Sequence, residues 1–214
     1  MNAPSRVTQL AAIPRPAALM AMAAAALTVL LLAALHVMSP EFDPSRRVVS
    51  EYANGRYDWV LSLMFASWAI SSWSLAVALW SQLKGIGGKV AVSFLVAAGV
   101  GEGMASFCDI NHPWHNLAGM IGVLSLPMAA MGISLNLAGV DEWMRAKRVL
   151  LVTANLTWLT LLLMVIALFA LVTRRRITPP GIEMIGWTNR AVVVAYCVWV
   201  ATVAWQALKL RRAR

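Results

Sequence analysis

Charge is scarce in this sequence. Only 13% of the 214 residues are Asp, Glu, Lys or Arg, against 60% apolar residues and a mean hydropathy of +0.71. So little charge is not enough to solvate the surface of a water-soluble domain of this length, which excludes that class and leaves a membrane protein. Acids are scarcer still, nine against eighteen bases, for a net charge of +9. In a soluble chain such an excess would suggest nucleic acid. Here the bases sit in connections and tails, where a bias toward the cytoplasmic side of a membrane accounts for them, and no nucleic-acid partner is expected.

Cysteine is almost absent. The two present, Cys108 and Cys197, fall at one end of the third apolar run and near the middle of the sixth. A disulfide needs Cα atoms within ~7 Å, so this mismatch in depth predicts two free thiols. There is no CxxC and no HExxH, so neither a zinc-finger framework nor a zincin helix is encoded. No internal repeat suggests a two-fold transporter architecture.

What the sequence does contain is six apolar runs, each of about 20 residues, enough to cross ~30 Å of hydrocarbon. The pattern predicts spans over 17–38, 59–80, 90–107, 117–137 and 149–172, with a sixth ending near 208. The predicted fold class is therefore all-α, a polytopic six-helix transmembrane bundle over 17–208, with a flexible tail at 1–16 and a basic tail at 209–214. A basic start before the first run could mark a cleaved signal peptide. The apolar run is long and no A-x-A site follows it, which favours a first transmembrane helix. Its alanines offer a smooth packing surface. In the second run Ser67, Ser71 and Ser74 recur at helical spacing, as do Thr153, Thr157 and Thr160 in the fifth; hydroxyls bonded back to their own helix explain both sets. Gly99 and Gly103 form a GxxxG pair that invites a close helix neighbour, and Pro127 should kink the fourth helix. Trp59, Trp80, Trp114, Trp143 and Trp187 fall at span ends, as in an interfacial aromatic belt.

With six spans both termini share a side. That side carries eleven of the eighteen bases and all four lysines, so both termini are expected to be cytoplasmic. The opposite side collects seven of the nine acids and His36, His112 and His115. Its longest connection, SPEFDPSRRVVSEYANGRY at 39–57, is rich in turn formers and should fold with at most a short helix.

That loop, the 102–116 stretch EGMASFCDINHPWHN and the GWTNR at 186–190 together resemble the bacterial and archaeal membrane family known as domain of unknown function 998. Ser39, Pro40, Pro44, Ser50 and Glu51 fit its S-P-x-x-x-P-x-x-x-x-x-S-E outer loop. His115 opening the fourth helix and Arg190 near a glycine before the sixth fit as well. The resemblance implies a six-helix fold in a bacterial or archaeal cytoplasmic membrane, without specifying an activity.

The residues expected to build an outer-face site are Arg47, Ser50, Glu51, Glu102, Asp109, His115, Glu183 and Arg190. Glu102, counted from the end of its span, should lie roughly 7 Å deep and pair with Arg190, or else with Arg56. The first functional reading is binding of a membrane lipid head group or small molecule, with no cofactor. An alternative is a metal-dependent hydrolase or transferase acting on lipid, with zinc or another divalent ion held by Asp109, His112 and His115 and Glu51 as a fourth ligand. A bonded loop clasp using the same histidines is the structural counterpart of that reading. A proton-coupled carrier is the second alternative, and it would need an acid deeper than the ~7 Å expected for Glu102.

The base count generates a topology prediction. A cysteine placed at Ser45 should react with an impermeant thiol reagent added outside intact cells, and one at Gly87 should not; the reverse pattern inverts the topology.

Overall fold

The computed structural model describes residues 13–174 and 184–212. Among them the chain forms six long helices and no strand: α1 (Arg15–Met38), α2 (Asp58–Leu79), α3 (Gly85–Phe107), α4 (His115–Ala138), α5 (Lys147–Arg174) and α6 (Ile185–Arg212), with 3₁₀ turns at Val49–Asn54 and Asp141–Ala146. All six helices are long and apolar enough to cross a membrane. Each packs against its chain neighbours, and α1 closes the ring on α6; α2 and α6 also touch across it. These two are the most enclosed helices, and α5 is the least. One end of the bundle carries the 39–57 loop and the 108–114 connection, and is called the loop face below.

Small residues set the spacing between helices. On α1, Ala18, Ala21, Ala25, Thr28, Leu32 and Leu35 are all buried, alternating three and four residues apart, so one narrow stripe faces α2 and α6. Thr28 bonds back to the Ala24 carbonyl at 2.9 Å and meets Ser67 of α2 at 2.9 Å. Ser67, Ser71, Thr153, Thr157 and Thr160 bond to carbonyls of their own helices, as their spacing predicts. Pro127 lies inside α4. Both cysteines are free thiols.

Three expectations need correction. The Gly99–Gly103 pair does not receive a helix backbone; a Cβ at either would meet the Trp73 ring, which lies over both. The backbone crossing occurs one residue pair away, where a Cβ on Gly101 would collide with the backbone of Gly122 and Ala118 on α4. Second, α3 begins five residues before its predicted start. Asn136 of α4 explains this: its amide accepts from the Lys84 N–H at 3.1 Å and donates to the Lys84 carbonyl at 3.0 Å, so the turn is closed by a neighbour. Gly85, with φ of +65°, makes the bend there. Third, Trp143 is not in an interfacial belt. It is fully buried in the 141–146 turn, which packs under α4, α5 and α6.

Gly101 offers a direct test. Gly101→Ala should destabilise the protein in detergent by about 1–3 kcal/mol, because a methyl there overpacks two backbones. Gly87→Ala, where a Cβ meets nothing within 4 Å, should be neutral or slightly stabilising. Thermal unfolding of both variants checks the pair.

Candidate functional site

The loop between α1 and α2 is folded first by its own side chains. Asp43 accepts from the backbone N–H of Ser45 at 2.9 Å and from its hydroxyl at 2.7 Å. Those two bonds, the backbone one foremost, hold the Asp43 carboxyl below the usual carboxylate range, with a smaller contribution from the positive charge of Arg46 and then Arg190. The lowered value means that this turn is favoured above the ordinary carboxylate range and loses that support as pH falls through the folded-state pKa. Glu51 accepts from the Val48 N–H at 3.3 Å and from Arg47 Nη1 at 2.6 Å, which starts the 3₁₀ turn containing Ser50 and Tyr52.

Helix α6 then holds this loop from below. At Gly186 a Cβ would strike the carbonyls of Pro44 and Arg47, so only glycine lets the loop backbone lie on the helix. The Gly186 N–H donates to the Ser45 carbonyl at 3.0 Å, and Asn189 Oδ1 accepts from the Val49 N–H at 2.9 Å. One turn below Gly186 stands Arg190, only 3% exposed. Its Nη1 donates to the carbonyls of Arg47 at 2.6 Å, Gly186 at 3.0 Å and Pro44 at 3.4 Å. Its Nη2 donates to the Tyr52 hydroxyl at 3.0 Å, and its Nε to His36 Nε2 of α1 at 2.7 Å. His36 Nδ1 lies 2.7 Å from the Leu32 carbonyl and must donate there. The imidazole is therefore neutral, with its proton on Nδ1 and a lone pair for Arg190. Every partner of this buried cation among the described residues is neutral.

Glu102 lies elsewhere. Its Oε2 accepts from Ser72 at 2.7 Å, and Ser72 stands 3.5 Å from the Tyr196 hydroxyl. Ser72 is fourteen residues into α2 and Tyr196 eleven into α6, which puts the carboxyl roughly 21 and 17 Å from the loop-face ends of those helices. The expected depth of roughly 7 Å is too shallow because α3 stops at Phe107, below the level at which α2 and α6 begin. Glu102 makes no ion pair among the described residues: neither Arg190 nor Arg56 is its partner, since Arg190 is taken by the loop and Arg56 lies over the Tyr57 ring.

The residues expected to gather at one site thus fall into three groups. Arg47, Ser50, Glu51 and Arg190 come together at the loop. Glu102 is buried in the bundle. Asp109, His112 and His115 sit in the 108–115 connection without converging, and among the described residues no three His, Cys, Asp or Glu side chains could hold a metal ion. Local bonds explain it: Asp109 accepts from the Asn111 N–H at 2.8 Å, His112 Nδ1 from the Trp114 N–H at 3.2 Å, and His115 Nδ1 donates to the Cys108 carbonyl at 2.9 Å. Asn111 donates to Asn54 at 3.0 Å and ties this connection to the 39–57 loop. Glu183 lies outside the described residues. His36 and Tyr52 join Arg190 although the sequence does not single them out as its partners.

Residues 22–206 match the model of a family described as protein of unknown function, DUF998. The chain belongs to that family. No curated protein and no solved structure matches it. The DUF998 match spans both polar centres, the Arg190 clasp and the Glu102 site, so each lies within the family domain.

The clasp predicts a graded response. Tyr52→Phe removes one bond to a charged group and should cost about 1.5–3 kcal/mol of stability. Arg190→Gln should cost more, because it leaves several loop acceptors without a donor, and Arg190→Lys should not rescue, since one ammonium cannot reach α1, Tyr52 and Arg47 together. Denaturation of the three variants in detergent, ranked against wild type, measures this.

Proposed function

We propose that the protein binds a phosphate-bearing lipid head group on its loop face, and that this face is extracytoplasmic. The observation that carries the reading is the division of labour at Arg47. Its carbonyl is fixed by Arg190 at 2.6 Å, while its side chain remains 58% exposed beside Glu51. Arg46 is equally exposed and pairs with Asp43 at 3.8 Å. Two adjacent cations thus stand between carboxylates on a loop of fixed shape, and a phosphate can engage the guanidinium fork while an amine of the same head group meets Asp43 or Glu51. Exposed Trp59, Trp114 and Trp187 support a position at head-group level.

In lipid nanodiscs the protein should be more stable with phosphatidylethanolamine or an anionic phospholipid than in a non-phosphorylated, sugar-headed lipid. Occupancy at 100 times Kd corresponds to about 2.7 kcal/mol. Arg47→Ala should remove most of that difference without unfolding the protein; equal stability in all lipids would refute head-group binding.

A second reading, proton-coupled carriage, is supported by the depth of Glu102. An acid inside a bundle and far from both interfaces is a functional candidate by default. Flux in proteoliposomes that is abolished by Glu102→Gln would favour it.

A further inference from the structure

Helix α5 buries the least of the six, and what it leaves outside is ordered. Leu150, Thr153, Ala154, Thr157 and Thr160 are buried against the bundle. On the far side of the helix Val152, Asn155, Leu159, Leu162, Ile166 and Phe169 are exposed, and they follow one another at alternating intervals of three and four residues. This is a heptad row, with Val152, Leu159 and Ile166 in one position and Asn155, Leu162 and Phe169 in the other. At ~1.5 Å per residue it runs for roughly 26 Å, close to the ~30 Å thickness of the hydrocarbon.

Asn155 is the polar member of that row. It stands eight residues after Lys147, ~12 Å along α5 and so inside the apolar layer. Its Nδ2 donates to the Leu151 carbonyl at 2.7 Å, and its Oδ1 accepts no bond among the described residues. Lipid chains offer that oxygen and the second N–H nothing to bond. A furrow of about 830 Å³ runs along the helix here, lined by Arg148, Leu151, Val152, Asn155, Trp158 and Leu159 among others, all of them from α5. Furrows of this kind receive the side chains of a facing helix.

We infer that this face of α5 is an interface with a second copy of the chain, in which two parallel α5 helices meet along the row and Asn155 lies opposite its counterpart. Symmetry selects the partner. Two copies inserted the same way are related by a two-fold axis along the membrane normal, which sets their α5 helices side by side at equal depth. An amide both donates and accepts, so Asn155 finds its complement in its own copy, whereas a different protein would need a polar group of its own at that depth. One Asn in an otherwise apolar heptad row also fixes register and the number of helices that associate. The 3.5-residue repeat gives the pair a left-handed crossing near +20°. Arg148, seven residues before Asn155, continues the row out of the apolar layer, where its long side chain can turn to the head groups.

Crosslinking of the full chain in liposomes, with Cys108 changed to Ser, tests the surface. Leu159→Cys should give disulfide-linked dimers on oxidation at high lipid dilution, and Leu30→Cys, exposed on α1, should not. Energy transfer between labelled copies tests the amide: Asn155→Leu should raise the Kd of the dimer about tenfold and Asn155→Gln much less. The Tm of the monomer in detergent should stay the same in both variants, because the side chain lies outside the bundle. Monomers at every lipid dilution, equal crosslinking at positions 159 and 30, or a Kd unmoved by Asn155→Leu would overturn the inference.

Discussion

A guanidinium taken out of water must find acceptors for its N–H groups, and in this chain they lie on three elements, α1, the first loop and α6. Arg190 reaches His36 on α1, Tyr52 and two carbonyls on the loop, and Gly186 on its own helix. Remove it, and the loop keeps its internal bonds at Asp43 and Glu51 but loses most of what seats it on the bundle. The acceptors are neutral, so the cation is held by dipoles. Some of that charge is felt at Asp43 on the surface. The arrangement avoids the larger desolvation that two buried opposite charges would bring.

The six helices were legible because each needs only length and apolarity, which a local count detects. The bonded-back hydroxyls were legible for the same reason, since their partners are three or four residues away. Gly186, Asn189 and Arg190 were visible as the GWTNR stretch. Their partners were not, because His36 is 154 residues from Arg190 and Tyr52 is 138. Glu102 shows a different limit. Its position along α3 was right, but depth depends on where neighbouring helices start and stop, and no count within one helix supplies that. The histidines of the 108–115 connection had metal-ligand spacing, yet spacing constrains only backbone separation. The ring of each histidine went to the nearest loop group, His112 to the Trp114 N–H and His115 to the Cys108 carbonyl.

Packing in lipid explains why so much of the pattern is written in small residues. Between helices there is no water to expel, so close contact and interhelical hydrogen bonds must supply the association. Gly101 against Gly122, the alanine stripe of α1, Thr28 with Ser67, and Trp199 donating to Ser134 at 3.0 Å are four solutions to one requirement. A larger residue at Gly101 would wedge α3 away from α4 at this crossing.

The clasp also fixes an order of events during synthesis. The loop at 44–52 leaves the ribosome well before the residue that secures it, Arg47 and Arg190 being 143 positions apart. At ~5–20 residues per second this gap is roughly 7–29 s. Throughout that interval the first loop has no docking partner on α6, and the first two helices must associate through their own contacts, Thr28 with Ser67 and the alanine stripe among them. Arrival of the last helix therefore acts as a latch on the first hairpin, and a chain truncated before residue 190 would leave that hairpin inserted but open to quality-control proteases.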